Sequence, residues 1–375
     1  MATQPSGSGT SSDPYLITDW NEIDYIRNET ESYYQLANSI DSNTAGYDSI
    51  ASDTANSGKG FKPIGNGING NQFEGTLDGN GKEIRDLKIN RPNENKVGLI
   101  KDHNGTLKNL LVVNANIEGQ DQVALTGNAT NTNDFGGGSI KKVGIDGTSS
   151  FVGESEVASI TGITAPRTYI TQCYSLATVE ATKGDGAGLT PYLAGRFSVR
   201  MEFNYNYYAG DITASDTAYP LADGTGLSSG SNNYWDKEKT GITNNYGVGA
   251  TGLTTSEMTG SNAPNNMTAL DFSTGGNWKV VTNTYPDLKS LERKKTSVTT
   301  LQAENTDSQG FLAKGEVTEI ATSNLEVGFD YRQVGDSNFD RVIVDTISSP
   351  QQYSYEFNTL LTEEEYEYKA VAFNV

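Results

Sequence analysis

The chain has 375 residues, 41 of them glycine, with 35% hydrophobic side chains and 47 acidic against 27 basic groups, a formal charge of −20. That profile suits a turn-dense, all-β protein of two or three domains better than a helical one. It argues against nucleic acid as a partner, because phosphate neutralisation needs Lys and Arg, and no apolar run approaches the roughly 18 residues of a membrane helix.

Residues 1–12, "MATQPSGSGTSS", are polar and read as a flexible arm. They carry no apolar signal region, so export by a cleaved secretory signal is not expected. Residues 13–60 read as an N-terminal cap of strand, helix and strand. Residues 15–17 form the first strand. Asp19 then serves as helix N-cap with Glu22 three residues on, and Trp20, Ile23, Tyr25 and Ile26 fall on helical spacing. "YYQLANSID" resumes as a strand. An open repeat array needs such a cap, because its first coil otherwise exposes core and strand edges.

From residue 61 the sequence restates one theme. The first apolar residues of successive short strands are read as Ile84, Leu107, Ile140, Ile170 and Phe203, and a knot position recurs at Gly98, Ala124, Ser159 and Gly188. Within strands, Leu87/Ile89, Leu110/Val112 and Val143/Ile145 alternate at period 2. Coils of unequal length with preserved apolar positions predict a β-solenoid, with Leu87, Leu110, Val143 and Cys173 stacked in one interior column. Residues 212–291 lose the pattern and read as an irregular C-terminal cap carrying Trp235, Trp278 and Tyr285, closing a solenoid over 61–291.

"FKPIG" (61–65), "FEGTLDGNGKEIRDLKI" (73–89), "VGLI", "ITQCYSLATV", "YNYYAGDI" and "NYWD…TGLTTSEM…NWKV…YPDL" together resemble the GLUG-repeat β-solenoids of bacterial and archaeal adhesin-like surface proteins. The resemblance covers residues 13–291 and departs from the pattern where Ala124 and Ser159 replace the knot glycine. It implies a scaffold rather than a chemistry.

Residues 292–295, "ERKK", read as a linker. Residues 296–375 show six strand-like runs at short intervals, ending in "EYEYKAVAFNV". They resemble a fibronectin type III-like β-sandwich whose last strand is missing, with Tyr366 as its corner tyrosine. The alternation in the final run suits a central strand, so completion by a neighbouring subunit or a continued chain is expected.

Little in the sequence points to catalysis. Glycan hydrolysis needs two carboxyl groups about 5–9 Å apart. Glu74, Asp78, Asp86 and Asp102 are scattered, Asp78 lies in the turn sequence "DGNG", and Asp86 aligns with Asn109 and Lys142. His103, the single histidine, reads as a solvated turn residue in "KDHNG". Cys173, the single cysteine, reads as a buried core thiol and permits no intrachain disulfide. "DGNGKE" lacks the acid spacing of a calcium loop. No cofactor is expected, and Ca²⁺ or Na⁺ at loop carbonyls stays open. Tyr205, Tyr208, Tyr219 and Tyr234 mark a candidate binding surface for a sugar or protein partner. Tyr207 and Trp235, in the same stretch, read as core. Sequons at Asn28, Asn104, Asn128 and Asn266 hint only at surface loops.

These readings converge on a non-enzymatic appendage that attaches to a host surface. The resemblance extends to surface and virion proteins of halophilic archaea and their tailed viruses, which implies a tail fibre, spike or capsid turret. It also implies homo-oligomers, contacts with other virion proteins, a host surface protein or glycan as receptor, and no membrane insertion. A cell-surface location is the alternative placement. A glycan-degrading tailspike and a purely structural decoration are the rival functions. If the −20 charge reflects a high-salt habitat, thermal midpoints at molar and at ~0.1 M salt should differ strongly, since screening relieves carboxylate repulsion. Equal midpoints would remove the halophilic reading.

Overall fold

The computed structural model describes residues 2–65, 72–128, 138–164, 168–191, 193, 202–224, 230–246, 248–293, 297–306, 310–319, 325–358 and 365–374. The chain divides into two compact units, Met1–Glu292 and Arg293–Val375.

The first unit is a β-solenoid built from parallel strands. Its main sheet runs Tyr15–Ile17, Tyr33–Leu36, Thr76–Asp78, Thr106–Val113, Ser139–Ile145, Tyr174–Ser175, Tyr207–Tyr208, Asn233–Asp236 and Ala250–Leu253. A second face stacks Lys88–Asn90, Asn116–Glu118, Ser150–Gly153, Thr178–Ala181 and Ile212–Ala214. A third carries Val157–Ala158, Gly186–Ala187 and Ala218–Tyr219.

Register fixes the interior columns. Leu77, Leu107, Ile140, Ile170 and Phe203 stand on one another at separations of 30, 33, 30 and 33 residues. Ile84, read as the first member of that column, belongs to another: it lies between Ile40 and Val112, followed by Ile145. The turn at 79–82 lets one coil place two short strands, Thr76–Asp78 and Glu83–Arg85, where the next coil has the single strand Thr106–Val113. Val143 stands on Leu110, and Cys173 immediately precedes the next pairing, Gly144 with Tyr174. Leu87 is buried, but it lies past the column of Ile84 and Val112, at the level of Ala115, its carbonyl receiving the Asn116 N–H.

Each coil also bends at a fixed point. Asn109, Lys142, Gln172, Tyr205 and Asn232 all have positive φ, between 50° and 63°, at successive levels of the main sheet. The left-handed residue turns the strand just before its interior position, so that residues three apart, such as Leu107 and Leu110 or Ile140 and Val143, face inward on either side of the kink. Asp86 shares this conformation but aligns with Asn114, not with Asn109 and Lys142: its N–H donates to Val113 O and its carboxylate accepts from Asn114 Nδ2.

At the N-terminal end the helix Trp20–Tyr25 forms where the sequence places it, with Asp19 Oδ1 accepting the Glu22 N–H at 3.0 Å. Residues 2–12 do not hang free as a flexible arm. Ser6 bridges Leu16 and Gly9 O receives the Tyr33 N–H, so the arm lies along the first strands and covers their edge.

Residues 254–292 correct a second expectation. Instead of closing the far end, they run back along the outer face of the main sheet as a strap. A capping box at Thr254 and Glu257 starts the turn. Ala269 N–H then donates to Tyr234 Oη, Tyr207 Oη donates to Pro286 O, and Tyr174 Oη donates to Asp287 Oδ1 at 2.7 Å. The strap ends on the third strand's turn, where Glu292 N–H donates to Gly81 O and Lys82 pairs with Glu292. Trp278, Leu288, Met258 and Leu291 form a second core with the outward column Leu111, Tyr174, Tyr207 and Tyr234. Gly144 belongs to the same column for a steric reason: a Cβ there would lie 2.6 Å from Tyr174 Cζ. Gly144→Ala should therefore push the Tyr174 ring off Tyr207 and cost about 1–3 kcal/mol, read as a lowered denaturation midpoint.

The second unit has two three-stranded antiparallel sheets. One orders Ser297–Thr306, Gly310–Glu319 and Gln351–Phe357, the other Asp340–Ile347, Leu325–Gln333 and Tyr366–Asn374. They enclose a shared core of Ala313, Val317, Val327, Phe329, Ile347, Tyr353 and Phe357. Tyr366 is only half-buried and starts the last strand opposite Gln333. The hydroxyls that tie core to backbone belong to Tyr353, which donates to Val371 O at 3.1 Å, and to Tyr368, which donates to Leu301 O at 2.6 Å. The last strand pairs only with Leu325–Gln333 among the described residues, yet its outer edge is partly covered, since Ala370 N–H donates to Thr300 Oγ1 at 2.9 Å.

Candidate functional site

The four candidate tyrosines do not form one surface. Tyr208 is fully buried, its hydroxyl donating to Ala177 O at 2.6 Å, and burial raises its pKa. Tyr234 is buried under the strap. Both are corrected from surface to core, because period-2 alternation places one in the interior column and the other on the covered outer face. Tyr205 remains exposed, turned outward by its positive φ. Tyr219 is half-buried on a different face, edge-on to Tyr246 with ring centroids 4.8 Å apart. Burial, helped by Asp185 and Asp223, raises the Tyr219 pKa. What reaches solvent at this end is a tyrosine pair with acidic neighbours, separate from Tyr205.

The carboxylates raised for hydrolysis sit in structural contacts. Asp78 accepts from Asn80 N–H and Asn109 Nδ2 and pairs with Lys108. Asp86 accepts from Asn114 and from Ser42 N–H. Glu74 accepts from Asn104, and Asp102 pairs with Lys96 at 3.1 Å. Asp78 is a turn carboxylate of the kind its "DGNG" context implies.

His103 is not solvated. It is fully buried, bridges Phe73 of the preceding coil, and stacks on that ring with centroids 6.0 Å apart. Nε2 lies 3.3 Å from Ser139 O and donates to it as the neutral tautomer, while Nδ1 has no partner. Burial pushes its pKa down to about 4. Gly138 makes this possible, since a Cβ there would meet His103 Cδ2 at 2.3 Å. Cys173 is fully buried, and burial pushes its thiol up to about 12, which removes the thiolate a nucleophile needs. Among the described residues no group of three or more His, Cys, Asp or Glu side chains is placed to hold a metal ion.

The sequons also separate. Asn28 is exposed at the end of the short 3-10 turn Ile26–Asn28. Asn104 and Asn266 donate side-chain hydrogen bonds, to Glu74 and to Glu257 O. Asn128, hinted to be a surface-loop residue, is buried in the strand Thr126–Asn128. Glycopeptide mapping from a glycosylating host should find Asn128 unmodified.

Comparison with known proteins places part of the chain. Halomucin of Haloquadratum walsbyi is 34% identical over 161 residues, 42% of this chain. A putative Gly-rich membrane protein of Evansella cellulosilytica is 35% identical over 131 residues, 34% of this chain. The chain spans about 2% and 14% of the lengths of these relatives. No family model matches it, and no solved structure matches it.

Proposed function

We propose that this chain is a non-enzymatic module of a surface appendage, a rigid solenoid that displays its far coils for attachment. The observation that carries the reading is the strap. Residues 254–292 bind the outer face from the last strand to the third, fastening a stack of coils into one body. That suits a scaffold better than an enzyme, because the carboxylates raised for glycan cleavage are engaged in turns and ion pairs. The relatives, one named a mucin and the other a membrane protein, support a cell-surface setting. The virion placement, tail fibre or turret, rests on the resemblance of the sequence to viral appendage proteins. The fibronectin type III-like reading of the second unit is supported by its two three-stranded sheets, and gives that unit the role of an attachment joint between copies.

The exposed Tyr205 and the Tyr219–Tyr246 pair are the aromatic contacts this reading offers to a host protein or glycan. Purified protein should sediment with host envelopes at high salt and release no new reducing ends from their glycans. Reducing ends would instead favour the tailspike enzyme, and absence of binding would favour a decoration without receptor.

A further inference from the structure

One corner of the solenoid holds buried polar atoms that its own side chains leave unsatisfied. Lys96, Gln122 and Glu156 all take positive φ and precede the stacked positions Val97, Val123 and Val157. Six residues after Lys96 comes Asp102, and six after Gln122 comes Asn128. Asp102 and Asn128 are themselves register partners. The corner therefore sets Gln122 on Lys96 and Asn128 on Asp102.

The donors here are already engaged. Lys96 Nζ donates to Asp102 Oδ1 at 3.1 Å, and Asn128 Nδ2 lies 3.5 Å from the same oxygen. The Gln122 amide bonds the Glu156 carboxylate. Three oxygens are left buried and without partner: Asp102 Oδ2, Gln122 Oε1 and Asn128 Oδ1. Asp102 and Asn128 are 1% and 4% exposed, so bulk water does not reach them. Rotating either amide would give its oxygen a donor's place only by turning oxygen against a carboxylate. One water carries two protons for three acceptors and leaves one unsatisfied. A buried acceptor without a donor costs about 1–3 kcal/mol.

We propose that this corner binds a monovalent alkali cation through Asp102 Oδ2, Gln122 Oε1 and Asn128 Oδ1. Hard cations take carboxylate and amide oxygens. The local charge also fits, since Lys96 pairs with Asp102, while Glu156, bonded by the Gln122 amide, has Asp121 and Asp185 beside it, so acidic side chains outnumber basic ones at this corner. The bound ion would tie two coils together on the side away from the strap. This site does not depend on the attachment reading.

The test is thermal unfolding in NaCl, KCl and choline chloride at equal ionic strength, since choline is too large for the corner. Wild-type protein should melt higher in sodium or potassium, by about 3 °C for each tenfold rise in cation above half-saturation. Gln122→Met keeps length and backbone cost but removes one ligand, and should abolish the difference. Equal midpoints of the wild type in all three salts, or an undiminished difference in the variant, would overturn the proposal. If the variant does not fold, crystals of the wild type grown in rubidium chloride decide. Anomalous density beside Asp102 Oδ2 supports the site, and its absence there rejects it.

Discussion

Trp278→Ala should cost the first unit about 3–5 kcal/mol, the range for truncating a large buried aromatic. The indole is 1% exposed and lies against two rings of the sheet, with centroids 6.2 Å from Tyr174 and 5.5 Å from Tyr207. Those rings stack on each other at 5.2 Å and 6°. Removing the indole leaves a cavity that the tyrosines cannot fill, because their hydroxyls are held by Asp287 and Pro286. The variant should melt well below wild type, and protease should cut within residues 254–292 first. A variant whose strap is cut while the coils keep the wild-type midpoint would show that the strap adds nothing to the stack.

Acid should destabilise the same unit through His103. An exposed histidine titrates near 6.5, whereas burial holds this one at about 4. The folded state therefore binds fewer protons than the unfolded state between those values. Its contribution is fully present above about pH 6.5 and is lost as pH falls toward 4. The difference of about 2.5 pH units amounts to about 3 kcal/mol. His103→Phe keeps a ring on Phe73 and removes the titrating group. The gap in unfolding free energy between wild type and variant should change with pH over this window, while carboxylate effects common to both cancel. A gap constant from pH 7 to pH 4 would mean that the imidazole is protonated in the fold.

Much of the solenoid was legible because period-2 alternation and repeat length report the interior directly. Leu107, Ile140, Ile170 and Phe203 fell in one column as read. The first coil misled because Leu77 and Ile84 face inward on either side of the turn at 79–82, and only backbone pairing decides which continues the column. His103 misled because "KDHNG" has the composition of an exposed turn, while Phe73, thirty positions earlier, supplies the apolar wall. The candidate site suffered most. Tyr205, Tyr208 and Tyr234 look alike as a cluster of aromatics, and only the kink at Tyr205 and the strap over Tyr234 separate solvent from core. A signal for the strap was present in retrospect: Leu111, Tyr174, Tyr207 and Tyr234 form an apolar column on the outward face, which a solvated sheet would not keep.

The strap's return has a mechanical consequence. The arm at residues 2–12 lies on the first strands, and Glu292 rests on Gly81 in the third, so the backbone enters and leaves the solenoid near one end. Tension applied through the chain would pass between these neighbouring points. It would load the arm and the foot of the strap in shear, while the distal coils stay outside the line of pull. A stack threaded end to end would instead be peeled one rung at a time. Here the coils farthest from the anchorage can keep their shape while the polypeptide is under strain.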